Sequence, residues 1–581
     1  MRGWVPHDEG AFGQMGERTL RGELPHRDFD EIYTGGLSLL HGLALRVYGI
    51  DVSVFRYLLY VFFLAWLPAT YYIATRFVPP LAAGAVVLLC ITWSVPNYSA
   101  AVPSWYNLFF ATFGMSAMLR FIERGGRVWL FVAGICGGLS FLAKLSGLFF
   151  VAAVFLFLLF RQQSEMRAHG GLPQRWLSPV MGAAVLASCL GLLYLVRGSL
   201  SWNVFLHFVA PTAALGIVLL WSEREVRGMR SAPRVRNLLR LAWPFVVGLG
   251  LPVAAFLVPY VLSGSVDAWI RGVFVTPARR VVFAVQDPPP LLATLIASLL
   301  WGIVALLLLT RAGRSVMVNL VVVCEAAVLI WSSLYSPLTY QLIWYFLAAA
   351  IPFVVVAACA AMLTSKAECH KRQQLFLVGS VLALCSLVQY PFSAQIYFCY
   401  VAPLLLLTVT AATSHYRRPN SLPAGILAAA LLLFAVLVLS PGFIYNLGRF
   451  YRPEADDTPL HLPRASQLRS ERETVRKYQE LVAAVQRAAV GPYIYAAPDC
   501  PEVYFLTGFR NPTRQVFEFL DERSDDPQLV LQLLEKRGVN AIVLNISPAF
   551  TRNFSNALRS ELRSRYPRAR TIGNFEVRWK E

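Results

Sequence analysis

The sequence predicts a polytopic α-helical membrane protein with a small α/β domain at its C-terminus. Three observations lead there. Apolar residues make up 57% of the 581 residues and charged residues only 15%, against roughly 45–50% and 25% in an ordinary soluble chain. The apolar residues fall in blocks such as "YLLYVFFLAWLPATYYIATRF" and "LSGLFFVAAVFLFLLF", long enough for a hydrocarbon core that takes about 20 residues of helix. After residue 445 the blocks stop, and short apolar runs alternate with amphipathic ones.

Residues 1–52 precede the first block. They hold five Arg/Lys and eight Asp/Glu, a net charge of −3, whereas residues 53–445 carry +18 and residues 446–581 carry +4. The acids crowd "HDEGAFGQMGERTLRGELPHRDFDE", with Asp8 beside Glu9 and then Asp28, Asp30 and Glu31. This segment reads as an acidic loop.

Residues 53–445 hold roughly fourteen spans, a multispanning transmembrane domain. The spans centre on 54–76, 81–95, 105–122, 128–143, 145–160, 177–196, 203–221, 240–262, 291–309, 316–335, 338–363, 375–391, 396–413 and 422–443. Every second loop is basic, for example "ERGGR", "SEREVRGMRSAPRVRNLLR" and "SHYRR"; the loops between are nearly neutral. The basic set belongs in the cytoplasm. Residues 1–52 and 446–581 then lie outside the cell's inner (plasma) membrane. No apolar helix precedes residues 1–52, so a first span upstream is expected, or this segment crosses as an N-tail. The basic excess is spread between spans and forms no domain-sized patch, which argues against nucleic acid as a partner.

In residues 446–581, "ETVRKYQELVAAVQRAAV" carries a helical stripe, and "PYIYAAP" and "VNAIVLNI" read as strands. "DDPQLVLQLLEKRG" has an Asp-Pro start and a Gly stop. A helix at 550–566 and a strand in "TIGNFEVRW" complete a small α/β domain. The nine cysteines are scattered without a C-x-x-C pair, the pattern of buried free thiols.

An acid held at the membrane surface can serve as a general base toward a hydroxyl, which singles out Asp8 and Glu9. Lys144 ends the Gly-rich run "FVAGICGGLSFLAK" at the outer end of a span, at the depth of a lipid-linked phosphate. Arg279 and Arg280 lie in the outer segment 263–290 and Arg197 in another; arginine there runs against the inside bias and suits an anion or an interfacial helix. Asp28 is the acid of the second group that best suits a place in the site. "DFD" suggests a divalent cation, but the second outer loop, "VPNYSAAVPSWYN", has no acid, so no metal or other cofactor is expected. Glu325 lies in mid-span, and Tyr390, Tyr397 and Tyr400 suit an interfacial belt.

The acidic pair before Phe-Gly, "RGELPHRDFD", the apolar helix ending at "YG", the Arg-led span and the Gly-rich helix ending in Lys come in a telling order. Over about the first 160 residues they resemble the GT-C class of membrane glycosyltransferases, closest to family 39 with its protein O-mannosyltransferases and aminoarabinose transferases. "PEVYFLTGFRNPTR" is similar to the outer domains of its bacterial members. The resemblance implies sugar transfer, commonly with inversion, from a polyprenyl-phosphate donor to an acceptor (protein, lipid or glycan) on the outer face. Asp8 would then be the catalytic base and Glu9 would help to position the acceptor. Asp28, Lys144, Arg279 and Arg280 would contact substrate. The alternative is a transporter or flippase of a lipid-linked saccharide, which would favour broken helices in two corresponding halves; no internal repeat is visible.

Overall fold

Helices form wherever the apolar blocks run. The computed structural model describes residues 1–166, 177–225, 231–276, 285–309, 316–364, 368–416, 424–439, 458–520 and 525–580. Among these, seven helices are long and apolar enough to cross a membrane: Ser53–Ala74, Pro80–Asn97, Leu145–Ser164, Trp202–Glu223, Val235–Leu262, Pro337–Thr364 and Cys369–Gln389. Shorter apolar helices stand beside them, including Arg127–Ala143 and Ala402–His415. The protein is therefore mainly helical, with the composition of a multi-pass membrane protein.

The N-terminal segment departs from its reading as a loop. It forms two helices, α1 (Pro6–Leu20) and α2 (Gly36–Tyr48). Pro6 opens α1, where its missing N–H costs nothing. Asp8 and Glu9 occupy the first turn and Arg18 the last, each sign at the favourable end of the helix dipole. The glycines that make the stretch look like a loop have another use. A Cβ at Gly10 would sit 2.2 Å from the Glu502 Cα, and one at Gly13 would sit 2.5 Å from the Phe505 ring. These glycines let α1 lie directly against the helix Pro501–Thr507 of the C-terminal domain.

Four helices follow: α3 (Ser53–Ala74), α4 (Pro80–Thr92), α5 (Pro103–Arg124) and α6 (Arg127–Ala143). The Gly-rich sequence of α6 serves packing too. A Cβ at Gly134 would stand 2.1 Å from the Phe245 carbonyl oxygen, and one at Gly248 would stand 2.1 Å from that of Phe131. Small residues at such crossings let two backbones approach closely. The close crossing with helix Ser231–Leu262 fixes α6, and Lys144 caps its C-terminal end in extended conformation.

Several connections gather at one end of the helices with residues 1–52 and 458–580. Trp269, on the short helix Val266–Phe274, donates to the Thr34 carbonyl (3.0 Å). Tyr260 donates to the Pro25 carbonyl (3.0 Å). The backbone of Gln286 pairs with Pro391 and Ser393.

Among the described residues the C-terminal region holds two small sheets. Strands β1 (Thr458–Pro459) and β2 (Arg469–Ser470) pair antiparallel, and the Arg469 N–H donates to the Met1 carbonyl. In the second sheet β3 (Tyr495–Ala497) runs parallel to β4 (Ala541–Asn545). Two further strands, β5 (Arg568–Ile572) and β6 (Phe575–Trp579), complete the order β3-β4-β6-β5. The last run, read as one strand, is a hairpin that turns at Gly573 (φ +57°). Asp526 caps helix Pro527–Lys536 by accepting the N–H groups of Gln528 and Leu529, as its Asp-Pro start foretold.

Candidate functional site

Successive residues of a helix point about 100° apart, so the first turn of α1 sends His7, Asp8 and Glu9 three ways. Glu9 turns inward. Its carboxylate accepts Arg56 Nε at 2.6 Å and Nη2 at 2.7 Å, and the Val5 N–H at 2.9 Å. The remaining Arg56 N–H groups reach the carbonyls of Arg2 and Gly3. Both side chains are 1% exposed. Each Glu9 oxygen is thus held by the protein itself, and the pair anchors α1 to α3. Its contacts are those of a structural tie and leave no face of Glu9 for an acceptor.

Asp8 keeps 34% of its side chain exposed. It accepts a 2.6 Å hydrogen bond from the Tyr98 hydroxyl. Tyr98 follows the single turn Val95–Asn97, and its carbonyl accepts Trp105 Nε1 at 3.0 Å. Tyr400 meets the Trp105 ring edge-on at 4.6 Å and lies within electrostatic reach of Asp8, Tyr33 and Tyr397. Lys144 faces the same tyrosines. Its Nζ donates to Ser104 Oγ (3.1 Å) and lies 5.9 Å and 5.4 Å from the ring centres of Tyr33 and Tyr397. An acid from α1 and a cation from the end of α6 therefore share one aromatic-walled cluster.

His7 links this cluster to the C-terminal domain. Its Nδ1 is 3.5 Å from Asp8 and its Nε2 is 2.5 Å from Asp499. The other Asp499 oxygen accepts the N–H groups of Ala549 and Phe550. Burial lowers the basicity of His7, but the Asp499 and Asp8 carboxylates outweigh it and raise the pKa to about 10. His7 is thus a cation at neutral pH, set between two acids.

The second group of acids disperses. Asp28 pairs with Arg27 (2.6 Å) and accepts the Leu24 N–H (2.7 Å). Partial burial would raise its pKa, but these partners hold it below the ordinary value. Asp30 faces Arg514 at 3.4 Å. Glu31 is buried and accepts from Ser38 and the Tyr33 N–H; burial pushes it up to about 7. "DFD" therefore does not converge on one point, and among the described residues no three His, Cys, Asp or Glu side chains are grouped to hold a metal. Asp28 instead lines a cavity of about 710 Å³ between α1 and the C-terminal domain, with neither Asp8 nor Lys144 in its wall.

Arg279 and Arg280 lie outside the described residues. Arg271, on the helix Val266–Phe274, pairs with Asp267 on the surface. Arg197 stacks 3.7 Å over the Tyr194 ring. Glu325 is exposed on helix Val316–Tyr335. Sequence reasoning missed Tyr98, His7 and Asp499. A histidine directly before two acids was a usable signal for His7; Asp499 offered none, because its partner is 492 residues away. The chain matches no family model, and no curated protein matches it.

Proposed function

We propose that this protein is a GT-C-type glycosyltransferase with 13–14 spans, its N-terminal segment and α/β domain outside the inner membrane. It moves a sugar from a polyprenyl-phosphate donor to an acceptor on the outer face. The observation that carries this reading is the shared cluster of Asp8 and Lys144. The packing of residues 1–52 on the C-terminal domain and against Tyr260 and Trp269 supports the same side for both.

The chemistry follows from those two groups. The acceptor hydroxyl attacks the anomeric carbon as Asp8 takes its proton. The bond from that carbon to the phosphate oxygen breaks, and polyprenyl phosphate leaves with the electron pair. Asp8 is partly open, and the Tyr98 hydrogen bond orients it. The Lys144 ammonium offsets charge on the departing phosphate, the kind of fixed stabilisation that acts where charge develops. Glu9 serves by holding the first turn in place.

Mass spectrometry of envelope glycans tests this in cells with the gene, without it, and with Asp8→Asn. The expected outcome is a glycan lost on deletion and reduced roughly 10²- to 10⁴-fold in transfer rate by Asp8→Asn. An unchanged glycan profile on deletion would sink the transferase reading. Full transfer by the variant would sink the assignment of Asp8.

A further inference from the structure

The cavity of about 710 Å³ between α1 and the C-terminal domain is not needed for the chemistry above. Its size is that of a small-molecule site, roughly 300–1,000 Å³. Its wall holds six arginines and three acids, Glu17, Glu23 and Asp28. The acids are already spoken for: Arg21 and Arg464 hold Glu17, Arg18 holds Glu23, and Arg27 holds Asp28. Arg510 and Arg537, both exposed, have no carboxylate partner among the described residues; Arg537 reaches the Tyr493 hydroxyl at 3.4 Å and lies 5.3 Å from the centre of its ring.

A second, independent observation points to a ligand. Gln14, in the same wall, is only 4% exposed. Neither its amide nitrogen nor its amide oxygen has a hydrogen-bond partner among the described residues. A buried amide left without partners loses its water and gains nothing in return, so such groups are normally satisfied. A donor-and-acceptor pair at one point matches the hydroxyl groups of a sugar. The aromatic side chains of Tyr493 and Phe509 in the same wall suit its apolar face.

We infer that this cavity binds a saccharide bearing a carboxylate or phosphate, with the anion on Arg510 and Arg537 and sugar hydroxyls on Gln14. Binding does not depend on the transferase reading; only the identification of this ligand as the acceptor rests on it. Gln14 follows Asp8 on one helix by about 9 Å of rise, so what the cavity holds is positioned relative to the base by α1 itself.

The test is titration calorimetry on the purified full chain in nanodiscs. The probes are a hexuronate trisaccharide, its carboxyl-reduced neutral counterpart, inorganic phosphate, and nanodiscs carrying a phosphorylated glycolipid. The trisaccharide or the glycolipid is expected to bind about tenfold or more tightly than the neutral sugar, the scale of a charge-assisted hydrogen bond. A soluble or a lipid-borne source is told by which of the two binds. The Arg510→Ala/Arg537→Ala double variant should remove that preference, and Gln14→Leu should weaken charged and neutral sugars alike. Equal binding of charged and neutral sugars, no binding of either charged probe, phosphate binding as tightly as the saccharide, or an unaffected double variant would each overturn the inference. Asp8→Asn separates the two readings. If it abolishes transfer while the charged probes fail to bind wild type, this inference alone falls; if the probes bind while Asp8→Asn transfers normally, only the assignment of Asp8 falls.

Discussion

The Asp8 cluster and the arginine-lined cavity are both built on α1, yet they hold charge in opposite ways. In the cluster one acid and one lysine sit among tyrosines at the helix ends, and Tyr98 and Ser104 already fix both. In the cavity arginines outnumber acids two to one, and a buried glutamine amide has no partner among the described residues. The first arrangement is preorganised, as a reacting site requires. The second has binding capacity left over, as a capture site requires. One helix can present both because its Gly10 and Gly13 side packs on the C-terminal domain while Asp8 meets the Tyr98 hydroxyl.

The largest effect should come from what the two regions share. Arg56→Leu strands the buried Glu9 carboxylate, and breaking a buried pair in this way costs about 3–5 kcal/mol. Thermal unfolding should shift strongly, and both transfer and saccharide binding should be lost. Asp8→Asn, one residue away and half-open, should change stability by no more than about 1 kcal/mol. Similar unfolding of the two variants would remove the distinction between anchor and reactive acid.

A smaller effect separates the regions. Lys144→Gln should slow transfer about 10²-fold, the usual scale for one fixed electrostatic contact to a developing charge. Binding of the hexuronate trisaccharide should not change, because Lys144 is not in the cavity wall. Loss of both readouts would show that the two regions are one site.

The apolar blocks were legible because membrane helices must satisfy their backbone internally and face lipid. The position of Lys144 at a helix end was legible for a related reason: it directly follows a Gly-rich apolar run that forms a helix. α1 was not legible. Gly10, Gly13 and Gly16 lower helix propensity, and the packing that overrides it comes from Glu502 and Phe505, almost 500 residues on. Glu9 looked like Asp8 in sequence, and only the 100° turn between them made one an anchor and the other an open acid. Tyr400 read as part of an aromatic belt and Tyr98 was not singled out, because nothing local tells a belt tyrosine from one that reaches a carboxylate.

The smallest expected effect concerns the bridge between the regions. His7 is held near pKa 10, above the ordinary 6.5, between Asp8 and Asp499, with Glu502 and Glu518 also contributing to the field around it. A raised folded-state pKa means that its stabilisation is complete below about 6.5 and is lost as pH rises through about 10. Hydrogen exchange of residues 4–13, corrected for the intrinsic rate, should show weaker protection at about pH 11 than at about pH 8. The turn closed by Asp28 and Leu24 contains His26, whose pKa burial lowers to about 4, so the turn should hold over the same interval. His7→Asn should flatten the response by removing the titrating cation. If protection of the first turn were independent of pH in wild type, the charge joining the Asp8 cluster to the C-terminal domain would not reside on His7, and the two regions would be coupled by the packing of α1 alone.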